Sequence, residues 1–357
     1  MESERFSNKK HGFELGWISK YRNELFGLSI LSIMLFHFSE DYAGAFARGI
    51  VGLIGSSLKS TLVLGYYNIF GSIGVEVFIF LSGMGLYYSF TKNPRIGAFY
   101  GRRFKRILIP YLIVAVPFWL IKDLYFGHTG IVTLLQDLTF WSLFSRGVRT
   151  IWFIGLMLGL YLVFPLIYKM LDSRRFRMLN FVILIAVTYC GPVLLYFAAP
   201  ALVANSAIAL TRIPLFVIGC WMGRYIKEGR SLSLPVISIL TGAAFAMKIA
   251  VTLLDVPSAL VRYVNGMYAL GLIVVLTVLL HLIRGSNVFN SVLRWFGKYS
   301  LEIYLTHVTL RNLMKEAGFD AYRISRFAVM LVIAVVLAVG VSRLTGVIER
   351  RDRRGNR

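Results

Sequence analysis

About ten strongly apolar runs, separated by short basic segments, constrain the fold of this chain more than any other feature of its sequence. Hydrophobic residues make up 57% of the 357 residues, whereas charged residues make up only 16%. An apolar fraction this high, divided into blocks of about 20 residues, is typical of a polytopic membrane protein. We therefore predict an all-α polytopic membrane bundle of about ten transmembrane helices. The predicted spans are 25–41, 70–90, 104–124, 151–171, 179–199, 208–226, 234–254, 264–283, 299–315 and 326–347.

The basic residues between these runs indicate how the chain is oriented. Of the 39 lysines and arginines, 27 fall in alternate loops on the side of the N-terminus, 10 fall on the other side, and Arg212 and Lys248 lie within spans. Because cytoplasmic loops carry an excess of lysine and arginine, both termini are predicted to be cytoplasmic. Counting the apolar stretch 49–58 as a span would invert every later loop, so we interpret it as interfacial or re-entrant, and likewise 131–144.

The chain is predicted to form one membrane domain with short ends. This domain covers 25–347, with a cytoplasmic segment, 1–24, before it and a basic cytoplasmic tail, 348–357, after it. The N-terminal segment is too long and too charged for a cleaved signal peptide. The two cysteines, Cys190 and Cys220, both lie in apolar runs, and a disulfide framework is excluded. They do not show the spacing of metal ligands, so no metal is predicted.

The net charge of +22 bears on the partners of the chain. A nucleic-acid partner is not expected, because the charges form short clusters between apolar runs and not a basic face on a soluble domain. Contact with anionic lipids is compatible with the pattern, and the cytoplasmic excess of basic residues explains most of the charge. The predicted partner is therefore a lipid bilayer and not a nucleic acid.

Two ionisable residues, His37 and Glu76, lie inside apolar runs, in LSIMLFHF and GVEVFIFLSG. A carboxylate in hydrocarbon is costly, so such residues usually face a bundle interior and mark a pathway or a reaction centre. With the predicted orientation, both side chains lie at a similar depth in the outer half of the bilayer. A carboxylate that binds one imidazole nitrogen raises the basicity of the ring, so we predict a catalytic pair that activates a substrate hydroxyl.

Other polar and aromatic residues fall in the same outer layer: Arg149, Trp152, Arg212, Lys248 and His307. Each also has a purely structural interpretation. A membrane histidine often forms a hydrogen bond between helices, an arginine near an interface often extends its charge to the surface, and a tryptophan often anchors at the membrane boundary. The coincidence in depth favours a functional role for His37 and Glu76, whereas for His307 and Arg212 both interpretations stay open.

A second cluster precedes the third span on the predicted cytoplasmic side. The sequence FYGRRFKRILIP places Arg102, Arg103 and Arg106 at the mouth of that span. These residues either follow the positive-inside rule or bind phosphate, since guanidinium groups match phosphate oxygens. No phosphate-binding loop or dinucleotide fingerprint is present, so side chains would have to hold any nucleotide-bearing donor.

Four pieces of sequence, spread over most of the chain, resemble the integral-membrane acyltransferase-3 family, whose members acylate glycans and lipids outside the cytoplasm. The pieces are ELFGLSILSIMLFHF, GSIGVEVFIFLSGMGLYYSF with GRRFKRILIPYLI, WFIGLMLGLYLVFPL, and RIPLFVIGCWMG with FGKYSLEIYLTHV. The family usually has an arginine or lysine eleven positions before the histidine. This position is Phe26 here, and Arg22 lies one helical turn earlier on a similar face.

The resemblance implies a membrane-bound O-acyltransferase in a bacterial cytoplasmic membrane. It would move an acyl group, commonly acetyl, from cytoplasmic acetyl-CoA or another acyl-CoA to a hydroxyl of a glycan or lipid-linked sugar outside. His37 would act as general base or carry the acyl group, and Glu76 would orient and charge its ring. The donor phosphates would bind Arg102, Arg103 and Arg106. The acceptor or the developing oxyanion would contact Arg149, Trp152, Tyr161, Arg212 and His307.

The alternative is a proton-coupled transporter or exporter of a glycan or small molecule, because intramembrane glutamate, histidine and arginine also serve as proton relays. Many carriers contain inverted repeats and paired interrupted helices, and neither is visible in the sequence. A scaffold of an envelope-assembly complex is a third interpretation, which would leave the shared depth of His37 and Glu76 unexplained.

Overall fold

A computed structural model describes residues 12–47, 58–71, 73–254, 256–319 and 322–355 as a helical bundle, and the predicted all-α membrane fold is confirmed. The helices of the first half are α1 (Gly16–Lys20), α2 (Arg22–Ala47), α3 (Leu58–Phe70), α4 (Ile73–Lys92), α5 (Ile96–Trp119), α6 (Ile131–Leu138), α7 (Trp141–Ser145) and α8 (Trp152–Asp172). Those of the second half are α9 (Arg177–Ala198), α10 (Pro200–Leu210), α11 (Ile213–Lys227), α12 (Leu234–Leu253), α13 (Ser258–Leu282), α14 (Asn287–Lys298), α15 (Ser300–Glu316) and α16 (Ile324–Gly355).

Each of the ten predicted spans corresponds to a helix of the bundle. Among the described residues, eight helical segments are long and apolar enough to cross a membrane. The other two predicted spans, α2 and α15, are more polar helices that carry His37 and His307. Polar residues are tolerated at membrane depth where they face other helices, so these two helices are expected to lie inside the bundle.

Two of the predicted spans contain a helix break close to their first residues, which was not predicted. The chain enters the second span through α3, which ends at Phe70, and α4 begins only at Ile73. The sixth span consists of α10 and α11, with Thr211 and Arg212 between them. The stretch 49–58 lies outside the described residues, apart from its last residue, which begins α3.

Helices α4 and α11 run parallel and are in close backbone contact. A side chain on Gly83 would collide with the Phe216 carbonyl, and one on Gly219 would collide with the Phe80 carbonyl. Small residues allow membrane helices to approach in this way. Moving back seven residues, or about two turns, from each glycine leads to Glu76 and Arg212. The glycine contact therefore sets the register in which these two charged residues meet.

The first long helix, α2, packs on two consecutive helices near the end of the chain. Its N-terminal half lies against the amphipathic helix α14, where Gly27 contacts the Leu293 backbone and Arg294 Nη1 donates to Glu24 Oε1 over 3.0 Å. Helix α15 then runs parallel to the C-terminal half of α2. This arrangement brings the two polar predicted spans together in the interior.

The remaining elements are short or peripheral. The stretch 131–144 forms α6 and the start of α7, which are too short to span a bilayer. A π-helical segment, Leu120–Phe126, extends α5. Strands β1 (Gly12–Glu14) and β2 (Ser231–Ser233) pair antiparallel and join the N-terminal segment to the chain before α12. The predicted tail 348–357 is helical up to Gly355, as a continuation of α16.

We expect the glycine contact between α4 and α11 to be sensitive to a single methyl group. Gly219→Ala should lower the free energy of unfolding by about 1–3 kcal/mol, because the new Cβ overlaps the Phe80 carbonyl. The measurement is the thermal unfolding midpoint of the purified protein in detergent. Gly242→Ala in α12 is the control, because a Cβ there meets nothing within 4 Å. Equal midpoints for the two variants would contradict the proposed packing.

Candidate active site

A pair of histidines joins the two polar helices α2 and α15. His37 Nδ1 lies 2.9 Å from His307 Nε2, and the rings are stacked with centroids 5.1 Å apart. His307 is fully buried, and its Nδ1 has no hydrogen-bond partner among the described residues. Because the contact with His307 uses Nδ1 of His37, the other ring nitrogen of His37, Nε2, remains available for a further partner.

One turn further along the same two helices, Arg311 holds a pair of carboxylates. Its Nε donates to Asp41 Oδ2 over 2.8 Å, its Nη2 donates to Asp41 Oδ1 over 2.5 Å, and Nη2 also contacts Glu40 Oε2 at 2.7 Å. Lys315 forms a further ion pair with Asp41. A bidentate contact between arginine and carboxylate fixes both direction and distance. It therefore fixes the register in which His37 faces His307.

The predicted contact between Glu76 and His37 is wrong, because Glu76 pairs with Arg212. Arg212 Nη2 lies 2.7 Å from Glu76 Oε1, both side chains are buried, and the guanidinium carbon lies 5.1 Å from the centre of the Trp152 ring. A carboxylate this deep needs a full opposite charge, which arginine supplies and a neutral imidazole does not. Glu76 also lies in the first turn of α4, where the helix dipole favours a negative charge.

The path of α3, which runs antiparallel to α2 from Ser60 beside Tyr42 to Tyr66 beside Ser32, explains why Glu76 and His37 are not neighbours. Gly74 packs against Ser29 and Ile33 of α2, which precede His37 by about one to two turns. Glu76 follows Gly74 and lies still further along α4, away from the histidine. The prediction of equal depth assumed that the span begins at residue 70 near the outer surface, whereas α3 carries the chain inward first.

His37 and Arg212 line a large cavity of about 710 Å³, which we call the outer cavity because it opens at the end of the bundle assigned to the outside. Arg149 and Trp152, at the start of α8, also line it, as predicted acceptor-site residues would. His307 does not line the cavity but supports His37 from behind. Further charged residues around the outer cavity are Glu40, Lys248, Arg262 and Arg311.

A second cavity of about 320 Å³, which we call the inner cavity, opens at the opposite end of the bundle. Its basic lining residues are Arg22, Arg103, Arg106 and Lys298. Arg22 fills the space left by the absent side chain of Gly85, and its guanidinium lies 5.5 Å from the centre of the Phe26 ring. Arg22 therefore brings a charge into this cavity from the turn before Phe26, the position at which the family usually has a basic residue.

Two predicted site residues lie elsewhere than expected. Arg102 is exposed and does not line the inner cavity, although Arg103 and Arg106 do. Tyr161, predicted at the acceptor, lines the inner cavity instead. Its position nine residues beyond Trp152 on α8 moves it about 14 Å along the helix axis, away from the outer cavity.

The two cavities share three lining residues, Ile33, Val75 and Tyr304. A row of aromatic rings leads to this junction through the inner cavity. Phe26 stacks on Phe78 at 5.0 Å, Phe78 contacts Phe153 at 6.0 Å, and Phe153 contacts Tyr304 at 5.3 Å. The path between the basic inner cavity and His37 is therefore short and lined by apolar and aromatic side chains.

Four further residues at the site were not predicted from the sequence: Asp41, Arg262, Arg311 and Tyr304. A signal for two of them exists: Asp41 follows His37, and Arg311 follows His307, by four residues, so each lies one turn further on the same helix face. Among the described residues, no group of three or more histidine, cysteine, aspartate or glutamate side chains is arranged to hold a metal ion.

Comparison with known proteins gives one match. The family model described as an acyltransferase domain, that of the acyltransferase-3 family, matches residues 27–343, which is most of the chain. The matched region contains both histidines, the Glu76–Arg212 pair and most of the residues that line the two cavities. No curated protein and no solved structure matches the chain.

We expect the buried pair to be far more sensitive to substitution than an exposed one. Arg212→Gln should lower the free energy of unfolding by about 3–5 kcal/mol, because it leaves the Glu76 carboxylate buried and uncompensated. Arg224→Gln is the matched control. It breaks the partly exposed pair with Glu228, the residue that follows α11, at a cost of about 1 kcal/mol or less.

The double variant Glu76→Gln/Arg212→Gln completes this test. It removes both charges and should recover part of the lost stability, as measured by thermal unfolding in detergent. An Arg212→Gln variant that unfolds no earlier than Arg224→Gln would contradict the importance of the buried pair.

Proposed function

This chain belongs to the acyltransferase-3 family, and we propose that it carries an acyl group across a membrane and transfers it to a hydroxyl group. The donor we propose is cytoplasmic acetyl-CoA or another acyl-CoA with a small acyl group. The acceptor is a glycan or lipid-linked sugar on the outside of a bacterial cytoplasmic membrane, and the product is an O-acylated sugar.

The observation that carries this proposal is that two cavities from opposite ends of the bundle meet at Ile33, Val75 and Tyr304. One cavity has a basic lining, and the other contains a histidine whose Nε2 is the ring nitrogen not used by His307. A donor that stays on one side and an acceptor that stays on the other can react at such a junction without either one crossing the membrane.

The inner cavity suits the narrow end of a coenzyme A thioester. Arg22, Arg103, Arg106 and Lys298 supply positive charge for its phosphates, and arginine binds phosphate through two parallel hydrogen bonds. A volume of about 320 Å³ accommodates the pantetheine arm rather than the nucleotide, which would remain at the basic mouth. The exposed Arg102 would act at that mouth and not inside.

His37 is proposed as the general base. If its Nδ1–H donates to His307 Nε2, then its own Nε2 carries a lone pair and can accept the proton of the acceptor hydroxyl. The hydroxyl oxygen attacks the thioester carbonyl, the carbon–sulfur bond breaks, and coenzyme A leaves as the thiolate. The same Nε2 would bear the acyl group in a two-step route.

Arg212 is proposed to stabilise the oxyanion that forms during this attack. It lines the outer cavity, its ion pair with Glu76 fixes its position, and its guanidinium lies over Trp152. Fixed positive groups placed where negative charge develops lower the barrier strongly in a site that excludes water. In this proposal Glu76 is a positioning residue for Arg212 and not a partner of His37.

A proton-coupled carrier is the second candidate, because the breaks before α4 and before α11 lie side by side, and paired interrupted helices are common in transporters. A carrier with bound acyl-CoA would release no coenzyme A. Coenzyme A release that depends on an acceptor therefore separates the two functions.

We expect His37→Asn to reduce acyl transfer by about 10²–10⁴-fold, since its amide can still bind His307 but cannot accept a proton. The assay uses protein in proteoliposomes, acetyl-CoA on one side, surface glycan on the other, and measures free coenzyme A together with acetylated glycan. His128→Asn, in an exposed loop outside both cavities, is the matched control and should behave as wild type.

The outcome that would refute the proposal is wild-type transfer by a correctly inserted His37→Asn variant. Loss of transfer by both variants would indicate general damage and refute the specific role of His37. A burst of coenzyme A release without acceptor would assign the two-step route, in which Nε2 of His37 is acylated.

A further inference from the structure

The outer cavity contains more positive charge than its own carboxylates compensate. Its lining includes five cations and one anion: Arg149, Arg212, Lys248, Arg262, Arg311 and Glu40. Two of the cations are matched by ion pairs, Arg212 with Glu76 and Arg311 with Glu40 and Asp41. In the described part of the chain, the other three have no carboxylate at ion-pair distance.

Lys248 is the most costly of these three. Its side chain is only 7% exposed, and its Nζ donates to the neutral Asn265 Oδ1 over 3.0 Å. The amide oxygen of Asn265 accepts one of the three hydrogen bonds that the Lys248 ammonium group can donate, but it does not neutralise the positive charge. The nearest opposite charge that acts on it is Glu76, which is already paired with Arg212. The hydrogen bond to Asn265 and the attraction of the already paired Glu76 offset only part of the free-energy cost of burying this ammonium group.

Arg262, which is half-buried, adds to this cost, whereas Arg149 is exposed to solvent. The like charges of Arg149 and Arg212 repel the guanidinium of Arg262. Arg262 lies in the second turn of α13, and Arg149 lies just before α8, so both are at the outer end of the bundle. Positive groups held together without counter-charge are typical of a binding site for an anion.

The position of these cations indicates which substrate carries the anion. Any group arriving from the inner cavity passes Ile33, Val75 and Tyr304, where no charged side chain lines both cavities. This junction favours a neutral acyl group. The unmatched cations lie beyond it, around the outer cavity, where the acceptor enters. Asn68 and Asn312 also line this cavity and offer amide groups for sugar hydroxyls.

We propose that the acceptor is an anionic glycan, with a carboxylate or phosphate near the hydroxyl that is acylated, bound by Lys248, Arg149 and Arg262. That the anion is part of an acceptor rests on the proposed function, whereas anion binding itself can be tested without any transfer. The site can bind either a carboxylate or a phosphate, because both present negatively charged oxygens to lysine and arginine.

The test compares three sugars that differ only at C6, which is uncharged in methyl glucoside, a carboxylate in methyl glucuronide and a phosphate ester in methyl glucoside 6-phosphate. The first readout is stabilisation of the purified protein against heat by each sugar, without donor. We expect the two charged sugars to act at concentrations about 10–100-fold lower than the neutral one, as one or two charge-assisted hydrogen bonds would produce. The two charged arms distinguish a carboxylate from a phosphate.

Arg262→Gln is the main variant, because Arg262 is half-buried and its loss removes an unpaired charge. It should abolish most of the preference for charged sugars, by about tenfold or more, and leave the neutral sugar unaffected. Arg174→Gln is the matched control, since Arg174 is exposed and lines neither cavity. Lys248→Gln should act like Arg262→Gln if the variant folds.

The second readout is acetyl transfer from acetyl-CoA to the same sugars, with succinyl-CoA as a charged donor. Stabilisation by charged sugars without any transfer would support the anion site and refute the proposed function alone. Equal stabilisation by all three sugars, no stabilisation by either charged sugar, or an unchanged preference in Arg262→Gln would overturn the inference. Succinyl transfer to the neutral sugar that depends on Arg262 would also overturn it, by assigning the cations to the acyl group.

Discussion

The interior of this bundle depends on one buried ion pair, that between Glu76 and Arg212. A carboxylate at membrane depth is stable only with a fully charged partner in direct contact, and a separation of 2.7 Å meets that condition. The contact in turn requires that α4 and α11 approach until their backbones touch, which the glycines two turns further along provide. The ion pair between Glu76 and Arg212 therefore explains why glycines are required at positions 83 and 219.

The two histidines solve the same problem in a different way. A pair of neutral imidazoles can share one proton in a hydrogen bond and needs no counter-ion, so it is less costly at depth than an isolated charge. The Arg311–Asp41 contact one turn away carries the charges nearer the surface and fixes the register of α2 against α15. The ring of His37, the proposed base, is thus held in place by a neutral neighbour and not by a direct ion pair.

The sequence predicted the composition of this site better than its contacts. The apolar runs and the basic loops were enough to predict ten helical segments, and the cost of burial was enough to select His37, Glu76 and Arg212. The partners could not be predicted, because they depend on where each helix starts. Helix α3 runs back along α2 before α4 begins, so Gly74 already lies beside Ser29 and Ile33, and nothing in GSIGVEVFIF marks this, since its glycines also suit a span that begins at the surface.

The apolar boundary between the two cavities shows how a membrane protein can connect two aqueous sides without letting ions pass. Ions pass poorly where apolar side chains narrow a path, whereas a small neutral group pays little to enter the same place. Ile33, Val75 and Tyr304 form such a boundary between two charged cavities. Under the proposed function, the acyl group is at the uncharged end of the donor, so this boundary admits that end and excludes the charged phosphates. A protein built in this way needs no large alternating movement, because the donor and the acceptor each remain on their own side.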